Sequence, residues 1–156
     1  MTENFYHRRM KAVIQQICEA SGKYKRIKRE KKIWLTDQNT GENHGYLPEL
    51  HCETKSGKLI IFEVLDDQLG DLNLVVADII LSFLAPNVQK VIFVAPLKED
   101  DDLVWRLGRV IGGRLLEKGL KKNELPELFT YKISRTEARG SNLKSILEKY
   151  AKKDGW

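Results

Sequence analysis

Cysteine is scarce: Cys18 and Cys52 are the only two in 156 residues, too few for a disulfide-stapled scaffold or a four-cysteine zinc site. Long apolar runs are absent as well. A bilayer-crossing helix needs about 18 or more consecutive apolar residues, and no such stretch occurs. The opening Met1-Thr2-Glu3-Asn4 lacks the apolar core of a secretory signal. Linkers, repeats and low-complexity tracts are missing too, so the length fits one domain over residues 1–156. These absences predict a cytoplasmic protein with no membrane partner. Apolar residues nevertheless make up 42% of the chain, enough to build a core and to exclude wholesale disorder.

Charge is present but unevenly placed. The formal net charge is +5. Residues 23–32 hold seven basic side chains (Lys23, Lys25, Arg26, Lys28, Arg29, Lys31 and Lys32) against one acid, Glu30, a local balance of +6. The rest of the chain is nearly neutral, at −1. Such a strip, with Tyr24 and Trp34 beside it, points to nucleic acid, because phosphate binding needs closely spaced cations along a surface. Arg106, Arg109, Arg114, Arg135 and Arg139 are candidates to extend it. A charged strip also serves plain solubility.

Apolar spacing predicts the elements. Tyr6, Met10, Val13, Ile14, Ile17 and Cys18 recur at helical spacing, with Gly22 just beyond them. The basic strip running into Ile33-Trp34-Leu35 reads as one strand with a charged edge, and DQNTGENHG (37–45) as a loop. Residues 47–53 and 59–65, joined by Lys55-Ser56-Gly57-Lys58, read as a hairpin. Asp71 is placed to cap a second helix bearing Leu72, Val75, Val76, Ile79, Ile80 and Phe83, which Ala85-Pro86 ends. Residues 88–95 read as a buried strand. The acids Glu99 to Asp102 open a third helix, with Leu103, Leu107, Val110, Ile111 and Leu115 inward and a stop near Gly119. Residues 128–133 read as a strand, 134–140 as a loop, and Ser141 caps a last helix. This order predicts an α/β fold, a mixed central β-sheet flanked by helices.

Glu63 stands among Ile61, Phe62 and Val64 in a strand that otherwise reads as core. Unless that strand presents it to a solvated edge or to a lysine, a carboxylate there requires a proton or a metal ion. Pro48-Glu49 begins the preceding strand. Pro48-Glu49 followed by Glu63-Val64-Leu65 resembles the PD-(D/E)XK nuclease superfamily, in which Pro-Asp opens one strand and Glu-x-Lys lies on the next. The order of elements over residues 5–118 is similar as well. The resemblance implies a restriction-endonuclease-like core of α-β-β-β-α-β-α order, like that of Holliday-junction resolvases. It also implies that Glu49, Glu63 and the main-chain carbonyl of Val64 hold Mg²⁺ or Mn²⁺, ions suited to hard oxygen ligands. The activity implied is that of a DNA endonuclease, a hydrolase in which the metal acidifies the attacking water.

Two positions depart from the superfamily pattern. Glu49 replaces the usual aspartate and is one methylene longer. Leu65 stands where the lysine that orients or activates the water is found, and leucine does neither. His51, alternating with Glu49 along the strand, is the nearest substitute and the third catalytic candidate; Lys55 and Lys90 rank below it. The alternative is a catalytically silent homologue serving as a nucleic-acid-binding or protein-assembly subunit. Superfamily members often form homodimers, an option left open here. Some carry a helix-borne glutamate beside the metal, a part for Glu3 or Glu19, while Asp66, Asp67 and Gln68 are candidates for further ligands. His51-Cys52 with His7 or His44 makes a poor zinc site, because adjacent ligands lack a second close pair. Cys18 reads as core.

Overall fold

Asn4 caps the first helix, its side chain accepting a hydrogen bond from the His7 backbone N–H. From there α1 (Phe5–Ser21) runs to Gly22, whose φ of 67° suits a residue without a Cβ. The computed structural model describes residues 4–65 and 72–156. Glu3, Asp66, Asp67, Gln68 and Asp71, all named above, lie outside them. After α1 come β1 (Tyr24–Arg29), β2 (Ile33–Thr36), β3 (Asn43–Tyr46), β4 (Leu50–Thr54) and β5 (Leu59–Val64). Then follow α2 (Leu72–Leu84), β6 (Val88–Ala95), α3 (Lys98–Glu117), β7 (Glu127–Lys132), α4 (Arg135–Arg139) and α5 (Leu143–Asp154).

Five strands form one mixed sheet in the order β1-β4-β5-β6-β7. β4 runs antiparallel to both β1 and β5, while β5, β6 and β7 are parallel. On one face Tyr6, Met10 and Ile14 of α1 and Leu143 and Leu147 of α5 pack on Leu50, Phe62 and Ile92. On the other, Ile79 and Phe83 of α2 and Val104 of α3 pack on Ile61, Val91 and Phe93. β5 and β6 are thus covered on both faces, which is why they read as nearly unbroken apolar runs. The architecture is the expected α/β one, a mixed sheet flanked by helices.

Several local readings need correction, among them the start of α5, which Asn142 and not Ser141 precedes. The basic strip and Ile33-Trp34-Leu35 are not one strand, because Glu30 takes a left-handed φ of 51° and breaks it. β2 instead pairs with β3 as a separate two-stranded hairpin, so residues 43–45 are strand and not loop. Asn43, His44 and Gly45 are all exposed, and a hairpin face turned to water carries no apolar alternation to read. Residues 135–139 form the short α4, with Ser134 and Glu137 as a capping box.

On α3, Val110 is 65% exposed instead of inward. The buried line of that helix is Val104, Gly108 and Gly112, small residues that let it approach β7. A Cβ on Gly108 would come within 2.2 Å of Leu128 Cδ2. Overpacking costs about 1–3 kcal/mol, so Gly108→Val is expected to lower the thermal unfolding midpoint. An unchanged midpoint would show that Leu128 yields freely.

Candidate functional site

The β4–β5 register sets Leu50 opposite Phe62. One step further toward the open end of the hairpin, Glu49 meets Glu63, and the Glu49 backbone N–H donates to Glu63 Oε1 at 2.9 Å. Glu63 is 4% exposed and lies on the sheet face that α2 covers, in step with Ile61 and Leu65. Asp78 of α2 shares a hydrogen bond with it. Two carboxyls can do this only with a proton between them. Burial pushes the Glu63 carboxyl well above its usual range, and the charges of Asp78 and Glu49 push it further. Burial also raises Asp78, with the Glu49 charge adding to it.

Tyr46 ends β3 and is 2% exposed. Its hydroxyl lies against the Glu63 carboxyl, near Asp78 and Glu49, but makes no well-aligned hydrogen bond among the described residues. From the opposite side comes Lys11 of α1, 1% exposed. Its Nζ is 3.1 Å from Glu49 Oε2 and 3.0 Å from Glu30 Oε1. One turn earlier, His7 Nε2 is 4.0 Å from Glu49 Oε1. The left-handed turn at Glu30, whose N–H donates to the Glu49 carbonyl, carries the Glu30 carboxylate onto Lys11.

The structure therefore brings Glu49 and Glu63 together, with Val64 following at the end of β5. His51 it keeps apart. That residue lies opposite Lys28 and Ile61, and its charged neighbours are Lys28 and Glu53. Burial, and then the Lys28 charge, lower the imidazole below its ordinary range, so it stays neutral. Lys55 sits in the turn at the other end of the hairpin, and Lys90 donates to the Asp154 and Gly155 carbonyls. Glu19 accepts from Gln15 near the far end of α1. Leu65 is buried in the apolar cluster of Val75 and Ile79. Cys18 and Cys52 are free thiols in the core beneath α1.

Among the described residues no three His, Cys, Asp or Glu side chains stand as a ready metal cage. Glu49 is turned to Lys11, and Glu63 to Asp78. The donor set nevertheless fits a small hard cation. Glu63, buried, and Asp78, half-buried, with the unsatisfied Tyr46 phenol beside them, offer the hard oxygen ligands that such an ion takes.

The cationic strip forms one edge of the sheet, since β1 is an outer strand. Its Arg29 lies opposite Leu50, so the β1 part of the strip ends beside Glu49, while Lys31 and Lys32 follow the break at Glu30. Of its seven cations Lys25 alone makes an ion pair among the described residues, 3.2 Å from Glu53. Arg106, Arg109 and Arg114 do not extend it. They project from α3, which packs on β6 and β7 toward the opposite edge, where Arg114 pairs with Glu117. Arg135 and Arg139 sit on α4, which packs on α1.

Lys11, Asp78, Tyr46 and Glu30 were not marked by motif reading. Asp78 carried a signal all the same, as the only charged residue between Leu72 and Leu84, three and four positions from Val75 and Ser82 on the buried face. Lys11 follows Met10 on the margin of the apolar stripe of α1. No helix among the described residues is long and apolar enough to cross a membrane. Compared with known proteins, the chain matches no family model, no curated protein and no solved structure.

Proposed function

We propose that this chain is a nucleic-acid phosphodiesterase of the PD-(D/E)XK type, a Mg²⁺- or Mn²⁺-dependent endonuclease with DNA as the favoured substrate. The observation that carries the reading is the buried Glu63 carboxyl against Asp78, with the Glu49 backbone bonded to it, at the open end of β4 and β5, where the cationic edge strand also ends. The succession α1, β1, β4, β5, α2, β6, α3 fits the α-β-β-β-α-β-α core that the motif implies.

On this reading Glu63, Asp78 and Glu49 hold the cation, with the Val64 carbonyl as a further oxygen donor. The chemistry such a cation would supply there is a more acidic bound water and relief of charge on the scissile phosphate. Lys11 stands in for the lysine missing at Leu65, reaching the acids from α1 instead of from β5. Its ammonium lies 3.1 Å from Glu49 Oε2 and 3.0 Å from Glu30 Oε1, which sets a buried positive charge beside the acids. The strip from Lys23 to Lys32 neutralises backbone phosphates and delivers the strand to the acids.

The competing reading, a catalytically silent nucleic-acid-binding subunit, is favoured by Leu65. Incubating the protein with plasmid and with single-stranded DNA decides between them. Cleavage is expected with Mg²⁺ or Mn²⁺, none with chelator, and none from Glu49→Ala. Salt-sensitive binding without cleavage under any divalent ion would establish the silent subunit. Absence of salt-sensitive binding would remove both.

A further inference from the structure

The β2–β3 hairpin stands outside the main sheet and exposes a tryptophan. Trp34 is 54% exposed, an unusual cost for the largest apolar side chain unless something covers it. Its cross-strand partner is Gly45. A Cβ on Gly45 would sit 3.4 Å from Trp34 Cζ3 and 2.8 Å from Lys32 Cδ. Because that Cβ is missing, the indole lies down on the hairpin backbone and the Lys32 stem lies beside it. Lys32 Nζ is 5.4 Å from the ring centroid. The ring thus packs beside the hairpin backbone at Cζ3, carries the Lys32 ammonium over it, and keeps about half of its surface open to solvent.

Two residues before Trp34 the cationic strip ends, with its local balance of +6. The nearby acids do not cancel it at the ring. Glu30 is held by Lys11, and Asp37 and Glu42 pair their backbones at the distal tip of the hairpin. A flat aromatic face beside a row of cations matches a nucleotide strand, in which a base π-face alternates with a phosphate. Bases in a duplex are already stacked on each other and offer no free face. An exposed indole therefore selects unpaired ones.

From this geometry we infer that Trp34, seated on Gly45 and flanked by Lys32, is a stacking platform for an unpaired nucleobase, so that the protein takes single-stranded nucleic acid or a junction with unpaired bases. The inference rests on the nucleic-acid reading above and adds the substrate class to it.

The test uses the full chain, metal-free, with three labelled DNA probes: a single-stranded oligonucleotide, an abasic oligomer of the same length and charge, and a hairpin duplex. The wild type is expected to bind the single strand about tenfold more tightly than the abasic oligomer. Trp34→Ala should remove that difference, leaving abasic binding and its salt dependence unchanged, and Trp34→Phe should keep most of it. Equal wild-type affinity for the single strand and the abasic oligomer would overturn the platform while leaving the nucleic-acid reading intact. So would a Trp34→Ala defect equal on both. Absence of salt-sensitive binding to all three probes would overturn both readings together.

Discussion

Glu63→Gln is expected to lower metal-dependent cleavage by at least about a hundredfold and, at the same time, to make the metal-free protein more stable. The two effects have one cause. Glu63 is 4% exposed and shares a hydrogen bond with Asp78 beside Glu49, an arrangement that a carboxylate tolerates only with a proton or a cation. Glutamine keeps the shape. Its carbonyl accepts the Glu49 backbone N–H that Glu63 now accepts, and its amide donates to Asp78 with no shared proton needed. Replacing a buried carboxyl that must take up a proton on folding by a neutral isostere is expected to stabilise by about 1–2 kcal/mol, here a thermal midpoint higher by roughly 3–6 °C.

The pH dependence follows with a definite sign. The folded-state carboxyl of Glu63 is raised above its ordinary value of 4.5, so the folded protein keeps a proton that the unfolded chain releases. The Glu63 contribution to metal-free stability is then fully present below that ordinary value and is lost as pH rises through the raised one. Glu63→Gln should flatten this decline. Urea unfolding at a series of pH values, with chelator present, reads it directly. A variant less stable than wild type at neutral pH would show that the carboxylate is matched by its surroundings already.

Lys11→Met is expected to be the second large effect: cleavage lower by about a hundredfold or more, with nucleic-acid binding and its salt dependence retained. Lys11 is 1% exposed, whereas the side chains of Glu49 and Glu30 are 28% and 64% exposed. Removing one member of a fully buried pair costs about 3–5 kcal/mol. Here Glu30 regains water freely and Glu49 in part, so the loss should be smaller, on the order of 1–2 kcal/mol. Methionine retains the unbranched stem that packs in α1, which separates the charge from the packing. Arginine keeps the charge but not the compact three-donor geometry, so Lys11→Arg should recover stability more than rate. Wild-type cleavage by Lys11→Met would remove the residue from the chemistry. Cleavage lost together with salt-sensitive binding would place it among the phosphate contacts instead.

Much of this protein is determined along the chain. The stripe from Tyr6 to Cys18 needs a partner surface, the runs at 59–65 and 88–95 are apolar enough to be buried on both faces, and Pro86 ends a helix wherever it packs. Those local demands specify an α/β sheet covered by helices. The Glu49–Glu63 pairing was also legible, because a hairpin with its turn at 55–58 sets residues on the two strands opposite each other by counting. The break at Glu30, the β2–β3 hairpin and the placement of His51 were not. Each depends on which strand lies alongside, and polar residues on a solvated hairpin leave no periodic trace.

The tertiary structure decided the composition of the site. Lys11 lies 38 positions before Glu49 and Asp78 lies 15 after Glu63, and no spacing rule joins a helix residue to the end of a strand. They meet because α1 and α2 cover opposite faces of the sheet, and only packing sets which side chain of each helix reaches its margin. The sequence by itself determined that a carboxylate stands in an otherwise apolar strand; its burial came with the fold. Which groups surround it, and so whether a proton or a cation balances its charge, was decided by the fold.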